Sequence, residues 1–446
     1  MHHVKKIKVA IFSTLGLGVF LAAGFAYPAW ENRNSIYEKS LGNKIEQFTP
    51  VEQARIAVFP LTYRDTTDAE LASFPTATQL QKALFAEESE AQKWLHAQSF
   101  GKFSLTGKIF DPTALTEPYM LPDGSPRWIE GFKSISLTQP FDANNFDILV
   151  FVPMHAKGLS TAVAWDLKKE TFEINGEKVS NDTKLMWLPL REGKAPDGKT
   201  ISSFTSRERG WAKAEKQKFV EGSWESPLTR FQHDFLHELI HALGFFGHCD
   251  SRTGDGLPYW LTDTTLPQYN LAYGNHFEIM GDGSWAIGLS SFVKHRMGWD
   301  SGRIANIQVG QKKMVTLNPN DSKAGLIGVQ IFNDGEYTDW QRVQDADFTA
   351  TGYWIEVLPR DTKYSSKLDF VQANSAGLIV HVTDGISLFL LDTSPSPLRT
   401  YEWGSAPDIS DVVLKGGQTF NDGRIIISNV NVKDSGTVSF EVTKTQ

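Results

Sequence analysis

The sequence predicts an α+β protein: a mixed α/β domain over residues 51–301, followed by an all-β, sandwich-like region over residues 302–446. Three observations carry this expectation. Buried-looking strand runs alternate with a helix-periodic segment in the first half of the chain. A second helical segment carries His237-Glu238-Leu239-Ile240-His241. Beyond Trp299 the pattern changes to short apolar or alternating runs between Gly, Asn and Asp turns.

The chain begins with Lys5, Lys6 and Lys8, then an almost uninterrupted apolar stretch from Val9 to Tyr27. Charge ahead of an apolar run is the layout of an export signal, and Gly24-Phe25-Ala26 offers the small residues of a cleavage site. The stretch is also close to the minimum length that spans a bilayer, with lysines placed to hold the N-terminus inside. Residues 1–30 therefore read as a removed signal peptide or as a retained membrane anchor. Both readings put the rest of the chain beyond the membrane, secreted, periplasmic or extracellular, with membrane contact only through that segment. Residues 31–50 are polar and read as a linker.

Arg55 to Leu61 reads as the first strand, Gln81 to Gln98 as an amphipathic helix, and Phe146 to Val152 as a buried strand. Ser180 to Gly222 is irregular and lysine-rich, as surface loops are. In the second half, Lys313 to Leu317, Tyr353 to Val357, Gly377 to Val382 and Thr437 to Val442 are the expected strands. Asp- and Asn-rich turns at Asn318 to Asp321, Asn333 to Glu336 and Asn421 to Asp422 are candidate calcium (Ca2+) loops, though none has EF-hand spacing.

The chemistry concentrates in the run His237 to His248. Histidines four apart project from one helical face, so both imidazoles can reach one ion. Phe231, Phe235, Leu239 and Leu243 form a separate apolar stripe, which leaves the histidines and Glu238 on another side. Glu238, beside the first ligand, is the candidate general base, taking a proton from metal-activated water and passing it to the leaving amine. Gly244 permits the turn that ends the helix, after which the chain can return with His248 as third ligand. Three neutral imidazoles plus water make an open, catalytic type of zinc (Zn2+) site.

Asp250 is the fallback third ligand, since carboxylate oxygen is also an acceptable zinc donor. His233 lies one turn before His237, too far along the axis to share the ion, and reads as a hydrogen-bonding support behind the ligands or as solvated. Cys249 is the sole cysteine, which rules out an intramolecular disulfide; it reads as a small buried side chain next to the proposed ligand.

His237-Glu238-x-x-His241-x-x-Gly244 with a further histidine close behind resembles the metzincin clan of zinc peptidases. The stretch Tyr273-Gly274-Asn275-His276-Phe277-Glu278-Ile279-Met280-Gly281 resembles the corresponding region of the gametolysin-like and immune-inhibitor-A-like secreted metallopeptidases. Residues 288–299 and Ser99 to Gly107 resemble other parts of these enzymes, so the likeness covers most of residues 51–300. It implies a zincin catalytic domain with a methionine turn at Met280 beneath the zinc site, and it implies proteins or peptides as substrates. His276 and Tyr273 lie close together in the same turn region, so either could contact substrate or steady the oxyanion, and Tyr273 is the candidate for a catalytic hydrogen bond. The chain departs from the clan in one respect: Gly247 stands where the third histidine usually falls, and the histidine follows at 248. A bulged turn at Gly247 would absorb the extra residue.

Composition limits the alternatives. A net charge of −8 with no basic cluster outside the leader speaks against nucleic acid as a partner. With 41% hydrophobic and 12% aromatic residues, 446 residues can fill two cores without disulfides. The expectation is a monomeric, exported zinc endopeptidase. Its rivals are a catalytically inactive, metallopeptidase-like binding or adhesin module and a closed structural zinc site.

Overall fold

Two β-sheets, one in each half of the chain, enclose the helix that carries the histidines. The structure, a computed structural model, describes residues 50–122, 134–155, 162–166, 172–194, 200–204, 228–252, 275–281, 288–332, 352–359, 377–383, 387–393 and 412–445, apart from single positions 181, 191, 203, 246, 276 and 392. The apolar stretch Val9–Tyr27 lies outside the described residues. Among the described residues, no helix is long and apolar enough to cross a membrane. Helix and sheet are mixed, with sheet the larger share.

In the first sheet, strand Gln53–Thr62 pairs in parallel with Ser104–Ile109 on one side and Ile148–Pro153 on the other. Ile148–Pro153 then pairs in parallel with Lys184–Trp187, and Val163–Asp166 closes that edge antiparallel. Alternate residues divide between two cores, as the two-residue period of a strand requires. Ala57, Phe59, Leu149, Phe151 and Trp187 pack into one apolar cluster. Ile56, Val58, Ile148, Val150 and Met186 face the other, which also receives Phe231, Phe235 and Leu239 from the histidine helix.

The helix expected from Gln81 to Gln98 is two helices, Ala77–Phe85 and Glu90–Gln98. Ala86 is extended with ψ 140, and the Ser89 side chain accepts the Gln92 amide, so a new N-cap forms where periodicity alone suggested continuity. The expected strand from Phe146 begins later, at Ile148, because Phe146 closes a 3-10 turn over Ala143–Asn145.

The second sheet crosses the expected 301/302 boundary. Its order is Cys249–Arg252, Leu388–Leu391, Gly377–Thr383, Gly352–Glu356, Gly328–Phe332 and Ile304–Ile307, with the two outermost pairs parallel and the inner ones antiparallel. The strand directly after His248 thus belongs to a sheet built mainly from the C-terminal third of the chain. Both faces of this sheet are buried. Tyr353, Ile355, Leu378, Val380 and Val382 pack against a four-stranded antiparallel sheet made from Lys312–Leu317, Val438–Lys444, Ile425–Val432 and Phe420–Asn421. The two sheets share one apolar layer. Trp354, Ile379, Leu388 and Leu390 point the opposite way, into the core that holds the histidine helix. Residues Gln47–Gln446 form one compact unit.

Glu356 and His381 are each 1% exposed on that second face. Glu356 accepts the Ser291 amide at 2.7 Å and Asn320 Nδ2 at 2.9 Å, and Lys294 Nζ donates to the Asn320 carbonyl at 2.8 Å. This polar seam ties the sheet to helix Ser291–Arg296, next to the turn that borders the site.

Candidate metal centre

The helix Arg230–Ala242 starts at Thr229, whose side chain accepts the Gln232 amide while Gln232 Oε1 accepts the Thr229 amide, a complete capping box. Phe231, Phe235 and Leu239 are buried on the core side, each contributing about 1.5–3 kcal/mol to stability. That burial sets the helix rotation and leaves His237 and His241 half-buried on the other side, with ring centroids 4.9 Å apart.

Gly244 ends the helix with φ 116, a backbone angle that side-chain-bearing residues rarely adopt. The reversal has two effects. It places the Phe245 carbonyl 2.7 Å from His241 Nδ1. It also turns the chain back so that His248 Nε2 comes within 3.2 Å of His241 Nε2. His237, His241 and His248 each offer one ligand atom, all within 4.8 Å of one another, and together they can hold a metal ion. Around a tetrahedral ion with metal–nitrogen bonds of about 2.0–2.1 Å, two nitrogens stand about 3.3 Å apart, which matches the His241–His248 spacing.

The chemistry of the donor set fits as well. His237 Nδ1 lies 2.7 Å from the carbonyl of Ile279. A carbonyl only accepts, so Nδ1 carries the proton in both His237 and His241, and each Nε2 is left with a lone pair for a ligand. Burial lowers the affinity of all three rings for a second proton. It takes His241 down to about 3, with His237 adding to the effect. His237 and His248 are also lowered, both chiefly by desolvation. Neutral imidazole is the form that binds a metal.

The remaining expected residues fall in different places. Glu238 is 6% exposed and sits on the same helix, adjacent to His237. Asp250 pairs through its backbone with Phe389, and its side chain lies outside the described residues, as do Tyr273, His276 and Phe246, the residue before the expected bulge at Gly247. His233 is buried rather than solvated. Its ring centroid is 6.5 Å from that of His237, its Nδ1 is 3.3 Å from Asp234 Oδ1, and it is not part of the three-histidine cluster. Met280 is fully buried in the core beneath the helix, in the turn that supplies the Ile279 carbonyl.

Two of the expected calcium turns use their side chains internally. Asp422 Oδ1 accepts the Arg424 and Ile425 amides and its Oδ2 accepts the Tyr353 hydroxyl, while Asn318 bonds to Ala324 and Thr437. Asn333 to Glu336 lies outside the described residues. Motif reading missed the Ile279 and Phe245 carbonyls, because a backbone acceptor leaves no mark in residue identity. It also passed over Glu278, a carboxyl 1% exposed in the middle of the resembling stretch.

No protein-family model matches the chain, and no curated protein matches it.

Proposed function

We propose that this chain is an exported zinc endopeptidase with a metzincin-like, zincin-type catalytic domain, acting on proteins or peptides as a monomer. The observation that carries the reading is the convergence of His237, His241 and His248, with Glu238 one residue from the first of them. Three neutral nitrogen donors suit zinc, and three protein ligands leave a coordination position for water or substrate, unlike a closed four-ligand structural site. When bound, the metal supplies Lewis acidity, which makes water a nucleophile near neutral pH and polarises a carbonyl.

The chain's own residues do the rest. Glu238 takes the proton of the attacking water and returns it to the leaving amine nitrogen, and its burial on a capped helix holds it at a constant position relative to His237. The carbonyls of Ile279 and Phe245 hold the His237 and His241 rings in orientation and tautomer. Tyr273 is assigned the hydrogen bond to the developing oxyanion.

The test compares zinc content and cleavage of denatured casein or a peptide library between the wild type and Glu238→Gln. Zinc in both with cleavage only by the wild type supports the assignment. Zinc in both with cleavage by neither would point to the inactive binding or adhesin module, and a chain without zinc would remove the basis of the reading.

A further inference from the structure

The turn Phe277–Gly281 does more for the metal centre than present one carbonyl. The Ile279 carbonyl accepts His237 Nδ1, and the next residue, Met280, accepts the Cys249 amide at 2.9 Å through its own carbonyl. Cys249 directly follows His248, and its carbonyl accepts the Asn275 amide at 3.1 Å. The turn and the strand carrying the third histidine are therefore laced together, and His237 and His248 are aimed by parts of one assembly.

The Glu278 side chain stands at its centre. One carboxyl oxygen, Oε2, accepts the Met280 amide at 2.9 Å; the other, Oε1, accepts the Ser290 amide at 3.4 Å, at the cap of helix Ser291–Arg296. The Cys249 thiol also hydrogen-bonds to the carboxyl group. A single buried group thus touches the turn under His237, the strand after His248 and the neighbouring helix cap. It also lines a small cavity with Asn275, Asn320, Glu356 and His381. Burial, with Glu356 adding to it, pushes the carboxyl up to about 8, against the lowering effect of the hydrogen bonds it accepts.

We propose that Glu278 is a positioning residue of the metal centre: its hydrogen bonds hold the Ile279 carbonyl against His237 and the Cys249 strand behind His248, so that the imidazoles meet at one point. The inference rests on the reading that the three histidines hold a metal. Hydrogen-bonding partners that orient metal ligands typically change metal affinity 10- to 100-fold when removed.

The experiment measures zinc affinity and the visible spectrum of the cobalt-substituted full chain for the wild type, Glu278→Gln and Glu278→Met, with circular dichroism as a folding control. Methionine fills similar volume but offers no comparable acceptor. The expected result is about 10- to 100-fold weaker metal binding and an altered cobalt spectrum in Glu278→Met, with an intermediate effect in Glu278→Gln, whose single carbonyl oxygen can keep the Met280 amide bond while its NH2 cannot accept the Ser290 amide. Should Glu278→Met fail to fold, Cys249→Ala removes only one contact of the same group and is expected to weaken binding about 2- to 10-fold. Wild-type affinity and spectrum in Glu278→Met, or in Cys249→Ala if that variant is the one read, would overturn the proposal. So would a Glu278→Gln chain as weak as Glu278→Met, because the Met280 amide bond, which the glutamine oxygen can keep, would then not be what the centre draws from this residue. Neither measurement involves substrate, so a chain that binds metal in this pattern yet cleaves nothing would sink the peptidase reading and leave this one standing.

Discussion

The amide of Leu388 donates to the carbonyl of His248 over 3.0 Å, which ties the third histidine of the cluster to a strand 140 positions further along the chain. The bond opens the parallel ladder between Cys249–Arg252 and Leu388–Leu391. The C-terminal sheet is in this sense part of the scaffold of the site. A chain ending at residue 301 should therefore neither fold to the wild-type circular dichroism spectrum nor retain metal. In the full chain, Leu388→Pro removes the donor and should weaken metal binding about 10-fold or more. A shortened chain that bound one metal ion at wild-type affinity would contradict this dependence.

Replacing the proposed base should separate binding from turnover. Glu238 is assigned to the proton and not to the ion, so Glu238→Ala is expected to keep its metal and lose about 100-fold or more in kcat. Metal analysis alongside peptide kinetics reads both quantities. Loss of the ion in this variant would make Glu238 a ligand.

The third ligand can be tested directly. His248→Ala leaves two imidazoles and should release the metal to a mild chelator, whereas Asp250→Ala should retain it. The opposite pattern would move the ligand to the carboxylate at 250.

Gly281 leaves no room for a side chain. A Cβ there would fall 1.9 Å from the Asn275 carbonyl oxygen and 2.9 Å from that of Cys249, both backbone atoms that cannot swing aside. Gly281→Ala should cost about 1–3 kcal/mol of stability through forced backbone shifts and should weaken metal binding, because the displaced turn carries the Ile279 carbonyl. Thermal unfolding and metal titration of the variant check the two effects separately.

Acid should destabilise the protein through His381. Burial pushes this ring from 6.5 down to about 3, so the folded chain keeps it neutral where the unfolded chain would protonate it. The contribution is fully present above pH 6.5 and is lost as pH falls from 6.5 towards 3, at about 1.4 kcal/mol per pH unit for each proton the unfolded state takes up in excess. In His381→Gln the slope of unfolding free energy over that window should be shallower by up to that amount. An unchanged slope would place the titration elsewhere.

The sequence by itself determined the local chemistry and the periodic elements. Histidines at 237 and 241, the glutamate between them and the apolar stripe of Phe231, Phe235 and Leu239 imply a helix with two opposed faces whatever surrounds it, since the spacing follows from helical geometry alone. Runs such as Tyr353 to Val357 and Gly377 to Val382 likewise announce strands through β-branched and aromatic content. The tertiary structure decided which distant groups complete the site. His248 joins the cluster because Gly244 reverses the chain and because Leu388 pairs with the strand that follows, and neither the pairing nor its register can be read from residues 249–252 alone. It likewise gave one sheet two buried faces, so that Trp354 packs towards the histidine helix and Tyr353 towards the four-stranded sheet. The physical reason is range: helix and strand patterns are set by neighbours within a few residues, whereas an acceptor such as the Ile279 carbonyl acquires its role only when folding brings a histidine 42 positions away to within 2.7 Å.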